Sequence, residues 1–449
     1  MSEDVRTEER RSDVTSRLDR FFKLREHGTD VRTELVAGLT TFLAMAYIVF
    51  VNPDILSATG MDAGAVFVAT CLAAAIGTLI MGLYANFPIA QAPGMGLNAF
   101  FAFTVVLGLG VPWQTALAGT FVSGLLFLVL ALTGVREAVI TAIPLQLKLA
   151  VGAGIGLFIA FIGLKNAGIV VADEATTVTL GNLGAPTTLL AIFGIVVTCL
   201  FLMRGLRGAI FYGIVATAVV GVIFGINELG GVVGRVPSLA PTFGEAFGAL
   251  PELLTVQMLV VVFTMLFVDF FDTAGTLIAV SNQAGLLDEQ GRLPDANKAL
   301  VSDSVATMGG AMLGTSTTTS YIESSAGVGA GGRTGLTSVA TAGFFLLALL
   351  FSPLLSVISG EVTAAALILV GVMMARGLGQ IEWDRLEYAI PAFVTVVAMP
   401  LTYSIATGIA LGLLLFPLMM LFKGRAREVS PIMWVLLVTF AAYFLWLVE

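Results

Sequence analysis

Two polar stretches interrupt apolar segments of membrane length, FVDFFDTAGT at 267–276 and GTSTTTSYIESS at 314–325. They place Asp269, Asp272 and Glu323 where a bilayer disfavours charge. A carboxylate at mid-membrane costs roughly 2.5 kcal/mol or more to insert, so it is usually retained to bind a substrate, an ion or a proton. These stretches therefore predict a membrane protein with a polar site near the midplane.

The composition supports a membrane protein. Of 449 residues, 57% are hydrophobic and only 12% are charged, and the mean hydropathy is +0.98. A soluble fold of this size does not need so much apolar surface. Residues 1–34 are polar and carry no apolar core of a signal peptide, so we expect the first apolar run to remain as a membrane span. The fold class predicted is an all-α polytopic membrane protein.

About fourteen apolar stretches meet the rule that roughly 20 residues span the hydrocarbon core. They are 35–57, 63–84, 89–107, 113–133, 146–169, 186–203, 208–227, 252–281, 294–313, 314–331, 334–357, 361–378, 388–403 and 405–422. A further apolar stretch at 431–448 either crosses the membrane or lies on its surface, and the sequence leaves both possibilities open.

The basic residues predict the orientation of these spans. With a cytoplasmic N-terminus, all of the 22 Lys and Arg residues except Lys165 and Arg235 fall on the inside, as the positive-inside rule requires. We expect a multi-pass protein of the cell membrane. Residues 18–25 place Leu18, Phe21 and Phe22 at helical spacing beside several cations, which favours an interfacial helix over a solvated tail.

Metal, cofactor and nucleic-acid sites are not expected. The single histidine, His27, lies in the N-terminal tail and cannot form a metal site in the membrane. No nucleophile and base pair, metal set or cofactor motif is present, so we expect a protein that is not an enzyme. The net charge of −8 arises from acidic loops and the tail, and we expect no nucleic-acid partner.

Two of the predicted spans are broken in equivalent positions. The third contains AQAPGMGLNAF at 90–100, and the tenth contains the Thr-rich stretch at 314–325. They lie seven spans apart, so equivalent elements run in opposite directions, as in an inverted repeat whose broken helices meet at the binding site. Unwound backbone is tolerated there only inside protein or beside a wet cavity. The alternative is a close helix contact at the glycines and an ordinary polar helix.

These motifs resemble those of a known family. The stretches APGMGLNAFF at 92–101, DFFDTAGT at 269–276 and GTSTTTSYIES at 314–324, with FFKLREHGT at 21–29, are similar to signatures of the AzgA-like purine permeases. That group is a branch of the nucleobase/ascorbate transporter superfamily. The resemblance covers nearly the whole chain and keeps the motifs in order.

The resemblance implies about fourteen helices in two inverted seven-helix repeats, with short extended strands in segments 3 and 10. Each repeat contributes to a core domain and a gate domain. Members of the family are proton-coupled importers of guanine, hypoxanthine or adenine and are often dimers, so a homodimer is an open possibility here. The implied division is a tail with an interfacial helix at 1–34, core halves at 35–133 and 252–357, gate halves at 134–228 and 361–422, and a basic linker with the C-terminal apolar segment at 423–449.

The eighth span carries a polar stripe. Asp269, Asp272, Thr273 and Thr276 follow helical spacing and share one face. A carboxylate accepts hydrogen bonds from the N–H groups of a purine and repels anions. The resemblance makes Asp269 a substrate ligand, with a buried structural carboxylate as the alternative. Asp272 and Thr276 are assigned to proton coupling or to support of the site.

Glu323 is the second carboxylate of the predicted site. It precedes a short half-helix, whose free N–H groups and dipole stabilise an anion, and the resemblance makes it a purine ligand rather than only a cap. Asn98 either contacts the base or braces the loop, and Phe100 either stacks on the base or packs in the core. The predicted purine-binding residues are Asp269, Glu323, Asn98, Thr273, Ile322, Ala99 and Phe100.

The ninth span adds one more carboxylate, Asp303, within the polar run ALVSDSV at 299–305. It either supports the site from beside spans 8 and 10 or lies at the cytoplasmic end of its helix. We expect Asp269 or Asp272 to carry the coupling proton, and the sequence does not choose between them.

The function predicted is secondary active import of purine nucleobases by alternating access, with the proton as coupling ion and no cofactor. A uracil or xanthine permease, or an anion permease of the sulfate type, is the alternative within the same fold. The midplane carboxylates disfavour an anion as substrate. A channel would require rings of repeated residues and no pair of broken helices.

Overall fold

A computed structural model describes residues 16–133, 144–288 and 292–446. Among these residues, nine helices are long and apolar enough to cross a membrane, and three shorter apolar helices accompany them. The predicted all-α polytopic fold is confirmed.

Eight helices form the first half of the described chain. They are α1 (Val31–Met45), α2 (Ile48–Ser57), α3 (Ala63–Ile80), α4 (Met95–Ala99), α5 (Trp113–Thr133), α6 (Leu145–Asn166), α7 (Pro186–Met203) and α8 (Ala209–Ile223). Helices α1 and α2 together make the first predicted span, and they meet at the short break formed by Ala46 and Tyr47. Helix α3 continues as a π-helix over Met81–Ala85, and α4 continues likewise over Phe100–Gly108.

Nine helices form the second half. They are α9 (Glu245–Gly248), α10 (Val256–Ala284), α11 (Ala296–Leu313), α12 (Ser324–Gly329), α13 (Gly335–Ala348), α14 (Gly360–Met374), α15 (Leu386–Leu401), α16 (Ile405–Phe422) and α17 (Pro431–Trp446). Short 3-10 segments occupy Leu250–Leu253, Leu349–Val357, Ala375–Gln380 and Ala426–Glu428.

Two broken segments meet as a small antiparallel sheet. Strands β1 (Gln91–Pro93) and β4 (Thr318–Ser320) pair with Ala92 opposite Thr319, and each strand leads into a short helix, α4 or α12. Side chains satisfy backbone groups that the two short strands leave unpaired, since the hydroxyls of Thr78 and Ser324 accept from the N–H groups that open β1. The predicted strands in segments 3 and 10 are therefore confirmed.

A second pair of strands was not predicted. Strands β2 (Val170–Asp173) and β3 (Thr177–Leu180) form an antiparallel hairpin between α6 and α7, and most of its side chains are exposed. The alternation of Val and Thr in β3 is a strand pattern, but the hairpin is too short to register in a search for apolar spans. Asp173 lies at its turn, and the backbone N–H of Thr176 lowers the pKa of that carboxyl.

The helices pack in two groups. Helix α13 packs on α1 and α3, and α5 packs on α10 and α11, whereas α6 packs on α14 and α15, and α7 packs on α8 and α14. Small residues permit these close approaches, as at Gly38 of α1, where an added Cβ would lie 2.5 Å from the Cβ of Ala340. The residue boundaries proposed for the core and gate halves stay predictions.

A buried carboxylate joins the first helix to α13. Glu34, in the first turn of α1, is fully buried. It accepts from the backbone N–H groups of Arg333 at 2.8 Å and Thr337 at 3.0 Å, and from the hydroxyl of Thr334 at 2.9 Å. Because α13 begins at Gly335, these bonds satisfy N–H groups that its first turn leaves without helical partners.

Residues 16–22 form an entry helix ahead of α1. Phe22 and Leu24 are buried against Leu336 of α13, whereas Phe21 is 60% exposed. One apolar face on the protein and one exposed aromatic side chain fit a helix that lies along the membrane surface. Its placement relative to a bilayer stays a prediction.

The C-terminal apolar stretch is a helix that packs on the protein. Helix α17 lies against α16, and the ring of Phe440 is 6.4 Å from that of Phe263 in α10. Met433, Leu436 and Phe440 are buried in the main hydrophobic cluster. Helix α17 therefore packs along α16 and reaches α10 at Phe440, and we call the place that it covers beside these two helices the filled seam.

Candidate substrate site

The candidate site lies where the two half-helices approach α10. Helix α10 contacts α12, β4 and α4, so it faces both broken segments. The structure brings Asp269, Asp272, Thr273, Glu323 and Asp303 to this region, from α10, from the start of α12 and from α11.

Helix α10 is exposed at both ends and buried in its middle, since Val256 and Leu259 near its start are 58% and 61% exposed. None of the positions 260–270 is exposed, whereas exposed positions recur after them along the helix. These are Asp272, Gly275, Ile278, Ala279, Asn282 and Gln283. Gln283 lies at the end of α10 next to α12, where its amide donates to the carbonyl of Ser325 at 3.2 Å. This end lies on the same side as the entry helix, because Thr29 donates to Gly331 just beyond α12 at 3.5 Å.

Asp272 and Glu323 form the cleft pair. Asp272 is exposed, unlike Asp269 three residues earlier, and the accessible space where α10 contacts α12 is called the cleft. Glu323 is partly exposed, and the two carboxylates are close enough for their charges to repel each other. Ile322, beside Glu323, is 46% exposed. Two acceptor-only groups thus face the accessible space together.

Glu323 is held by a residue that the sequence analysis did not identify. Tyr47, at the break between α1 and α2, donates its hydroxyl to Glu323 at 2.7 Å and is itself buried. Glu323 occupies the residue before α12, as predicted from the sequence, but its side chain makes no capping bond. The sequence feature that could have identified Tyr47 is its aromatic hydroxyl within an otherwise apolar run.

Asp269 and Asp303 form a second arrangement, the Asp–Thr clasp, with Thr273 and Thr307. Each carboxylate accepts from the threonine of the other helix, Asp269 from Thr307 at 3.3 Å and Asp303 from Thr273 at 2.9 Å. On both helices the threonine follows the aspartate by four residues, so the clasp is reciprocal. All four side chains are buried.

The strands close the clasp from behind. Asp303 also accepts from the amide of Gln91 in β1 at 3.0 Å and from the hydroxyl of Ser320 in β4 at 3.0 Å. Its three donors converge on one oxygen, Oδ1. The sequence left the place of Asp303 open, and the structure puts it behind the strand pair rather than at a helix end.

The clasp leaves buried oxygens without donors. Oδ1 of Asp269 and Oδ2 of Asp303 have no hydrogen-bond partner among the described residues. Thr307 has a single hydroxyl proton, and that hydroxyl lies closer to the carbonyl of Thr318, at 2.8 Å, than to Asp269. Buried ionised carboxylates need several hydrogen-bond donors. The clasp therefore has too few donors for two ionised carboxylates.

Asn98 lies on the opposite half-helix. It is fully buried, its side-chain carbonyl accepts from Ser316, and its amide nitrogen has no partner among the described residues. Asn98 therefore braces the strand segment and keeps a free donor. Ala99 and Phe100 are buried, and Phe100 lies in the main hydrophobic cluster. Their predicted contact with a purine stays a prediction.

Two further threonines complete the comparison with the sequence. Thr273 joins the clasp, and its hydroxyl lies 2.7 Å from that of Thr319, while Thr276 is buried one turn further along α10. Sequence reasoning missed Gln91, Thr307 and Ser316. Gln91 lies within the motif at 90–100. Asp303 and Thr307 are four residues apart, as Asp269 and Thr273 are, and this shared spacing was the signal for Thr307.

Two polar contacts lie on the far side of the molecule, one between the helix groups and one within a group. Thr363 of α14 donates to Asp54 of α2 at 2.9 Å. Asn227, after α8, donates to the hydroxyl of Ser359 at 3.0 Å. The exposed positions from Asp272 onward thus lie toward the end that carries the entry helix, and the bond between Asp54 and Thr363 joins α2 to α14 at the other end.

Possible ligands for a metal ion were compared with the requirements of a metal site. Among the residues that the structure describes, no group of three or more His, Cys, Asp or Glu side chains is arranged to hold a metal ion. The side chains at the site are carboxylates, hydroxyls and amides, which accept or donate hydrogen bonds, and carboxylates also exchange protons.

Comparison with known proteins gives a consistent result. Residues 32–411 match the model of the Permease family Xan_ur_permease. The guanine/hypoxanthine permease PbuG of Bacillus subtilis is 56% identical over 437 residues, covering 95% of this chain and 99% of PbuG. The adenine permease AdeQ of Escherichia coli is 46% identical over 419 residues, covering 93% and 94%.

Solved structures show the fold. The transmembrane domain of the cyanobacterial bicarbonate transporter BicA aligns with a TM-score of 0.60 at 17% identity, covering 84% of this chain and 96% of that domain. SLC26A9 aligns with a TM-score of 0.62 at 12% identity, covering 92% and 70%. The fold is therefore the arrangement of two inverted seven-helix repeats with core and gate domains, as predicted.

Proposed function

The chain belongs to the Permease family, and from that premise we propose that it imports purine nucleobases of the guanine, hypoxanthine and adenine class by proton symport. The names of the relatives at 56% and 46% identity support this substrate class. The protein is an integral membrane transporter rather than an enzyme.

The cleft pair is the observation that carries this proposal. Asp272 and Glu323 face one accessible space from α10 and from the start of α12. Two ionised carboxylates accept hydrogen bonds from the ring and exocyclic N–H groups of a purine and disfavour a bare anion. In the proposed complex Glu323, oriented by Tyr47, and Asp272 hold the base, and Ile322 contacts its face.

The Asp–Thr clasp is the proposed proton site. Asp269 and Asp303 are buried with too few donors for two negative charges, and a proton on one of them supplies the missing donor. Symport follows if this proton must be present before the domains move. Because α10 carries both Asp269 and Asp272, one helix links proton uptake to purine binding.

A second assignment follows from the family resemblance. It makes Asp269 the purine ligand and leaves Asp272 as the proton carrier. The burial of Asp269 and the accessibility of Asp272 favour the first assignment. The choice is decided by whether Asp272→Asn or Asp269→Asn loses purine affinity.

The proposed transport cycle is alternating access between core and gate. With the N-terminus in the cytoplasm, the cleft described above opens inward, and the contact between Asp54 and Thr363 closes the outer side. The outward-open state requires this contact to break. Assembly as a homodimer stays a prediction.

Uptake in cells that lack their own purine and sulfate permeases tests the function. Labelled guanine, hypoxanthine or adenine should accumulate, uptake should rise as external pH falls, and a protonophore should abolish accumulation while sodium removal should not. Uptake of uracil or sulfate in place of purines would contradict the substrate class. Sodium-dependent uptake that ignores pH would contradict proton coupling alone.

A further inference from the structure

An apolar groove runs along the junction of the two helix groups, and none of the carboxylates of the candidate site lines it. Its volume is about 600 Å³, and every side chain that lines it is apolar. Its walls come from α1 and α2, from α8, and from α13 with the 3-10 segment that follows it. Phe50, Ala218 and Phe351 represent these three walls. We call it the open seam.

The inverted repeat supplies an internal comparison. Spans 1, 7 and 11 line the open seam, and their repeat equivalents are spans 8, 14 and 4, which include α10 and α16. The filled seam lies beside α10 and α16 and is occupied by α17, with Phe440 against Phe263. One seam thus holds an apolar occupant from the chain itself, and its equivalent is empty of protein among the described residues.

A cation lies beside one end of the open seam. Leu229 and Val232 line the groove, and the same loop leads to Arg235, which is exposed. The loop is pinned to the groove wall, because Ser352 donates to the carbonyl of Arg235 at 3.0 Å and Gly234 donates to that of Leu350 at 3.0 Å. This end lies on the side opposite the entry helix, next to the contacts made by Ser359.

We propose that the open seam binds one phospholipid of the leaflet opposite the N-terminus, with an acyl chain in the groove and its phosphate at Arg235. The volume suits a ligand of this size, the lining matches hydrocarbon, and the exposed cation matches a phosphate. The lipid takes the place that α17 takes in the filled seam. No residue of the proposed purine site lines the groove.

The binding site has a mechanical consequence. The groove is bounded by α1 and α13 on one side and by α8 on the other, so the lipid fills space between groups of helices that move relative to each other in alternating access. A lipid in the groove fills the space between the helix groups but does not lock them in one relative position, because lipid chains make no directional bonds.

Lipid retention in the purified full-length protein tests the proposal. Protein extracted in mild detergent from membranes rich in phosphatidylglycerol is washed, and its bound phospholipid is counted by mass spectrometry. Ala218→Trp, which fills the groove, should lose about one lipid per chain, since the new indole occupies the acyl-chain site. Arg235→Glu should weaken retention about tenfold, as expected for one charged contact.

Val196→Trp on α7 is the matched control. Val196 is 63% exposed and does not line the groove, so its variant should retain lipid like the wild type. Purine-dependent thermal stabilisation reports folding of each variant. Equal lipid counts in the wild type and both tryptophan variants would overturn the proposal. Loss of a dimer in Ala218→Trp, with no change in lipid, would instead assign the groove to a second copy of the chain.

Discussion

Two pairs of carboxylates lie on α10 and on the segments beside it, and the pairs differ in their exposure to solvent. The cleft pair, Asp272 and Glu323, meets solvent, whereas Asp269 and Asp303 in the Asp–Thr clasp are sealed behind the strands. Asp269 and Asp272 are separated by less than one helical turn. The difference therefore arises from what packs opposite each residue.

Opposite Asp269 stands α11, and opposite Asp272 stands the start of α12. Helix α11 presents Thr307 to Asp269, while Ile322 and Glu323, between β4 and α12, are exposed and partly exposed. A small change of angle around one helix thus separates a group that can meet a substrate from one that can only exchange protons with its neighbours. The predictions below test this division, beginning with the largest effect.

Glu323→Gln should abolish uptake. The amide keeps the shape but loses the charge that accepts from a purine N–H and from Tyr47. Loss of a charged hydrogen bond costs about 1.5 to 3 kcal/mol, on the order of a tenfold to hundredfold loss of affinity. Calorimetry with purified protein measures it. Glu174→Gln in the exposed β2–β3 turn is the control and should bind normally.

Asp272→Asn and Asp269→Asn should separate binding from coupling. If the cleft pair holds the base, Asp272→Asn loses roughly tenfold or more in purine affinity, while Asp269→Asn still binds and exchanges labelled purine but cannot accumulate it. Binding is measured by calorimetry and accumulation in proteoliposomes with an imposed pH gradient.

The opposite pattern would favour the assignment that the family resemblance implies. In that case Asp269→Asn would lose affinity, and Asp272→Asn would keep exchange without accumulation. Equal loss of affinity in both variants would show that the two carboxylates act as one site, and the division between the pairs would fail.

Thr307→Val should destabilise the clasp. It removes a donor to Asp269 and to the carbonyl of Thr318, and leaving buried acceptors unsatisfied costs about 1 to 3 kcal/mol. A lower melting temperature in detergent measures the effect. Thr307→Ser keeps the hydroxyl and should melt close to the wild type, and a similar loss in both variants would point to the methyl group instead.

Tyr47→Phe should have the smallest effect. It removes one hydrogen bond that orients Glu323 and leaves the ring in place, and because Tyr47 is not itself assigned to contact the purine, purine affinity should fall only roughly twofold to tenfold, less than for loss of a direct charged hydrogen bond. Direct binding measurements suffice. Tyr84→Phe, on a side chain that is 54% exposed, should change nothing, and an unchanged Tyr47→Phe would remove Tyr47 from the site.

The broken segments were predictable from local chemistry. Pro93 and the threonines of 317–319 disfavour helix, and their offset by seven spans fixes opposite directions. The sequence also pointed to Asp269, Asp272 and Glu323, because charge is costly in a membrane. The fold class and the meeting of the two strands followed from these residues.

The division between the pairs was not predictable. Asp269, Asp272 and Thr273 all lie on one side of α10, and the rotation of α10 against α11 decides which of them is buried. That rotation depends on packing between helices that are distant in sequence. The hydrophobic periodicity of a single helix carries no information about such packing. The contact from Tyr47 to Glu323, across 276 positions, was hidden for the same reason.

Glu34 has a consequence for biosynthesis. Its hydrogen-bond donors lie in residues 333–337, about three hundred positions later in the chain, and translation at roughly 5–20 residues per second needs on the order of 15 to 60 s to reach them. During that interval the carboxylate depends on water for its hydrogen bonds. Because Glu34 precedes the first predicted span, water at the membrane surface can serve it in the meantime, and the bonds that join α1 to α13 form only after α13 has been made.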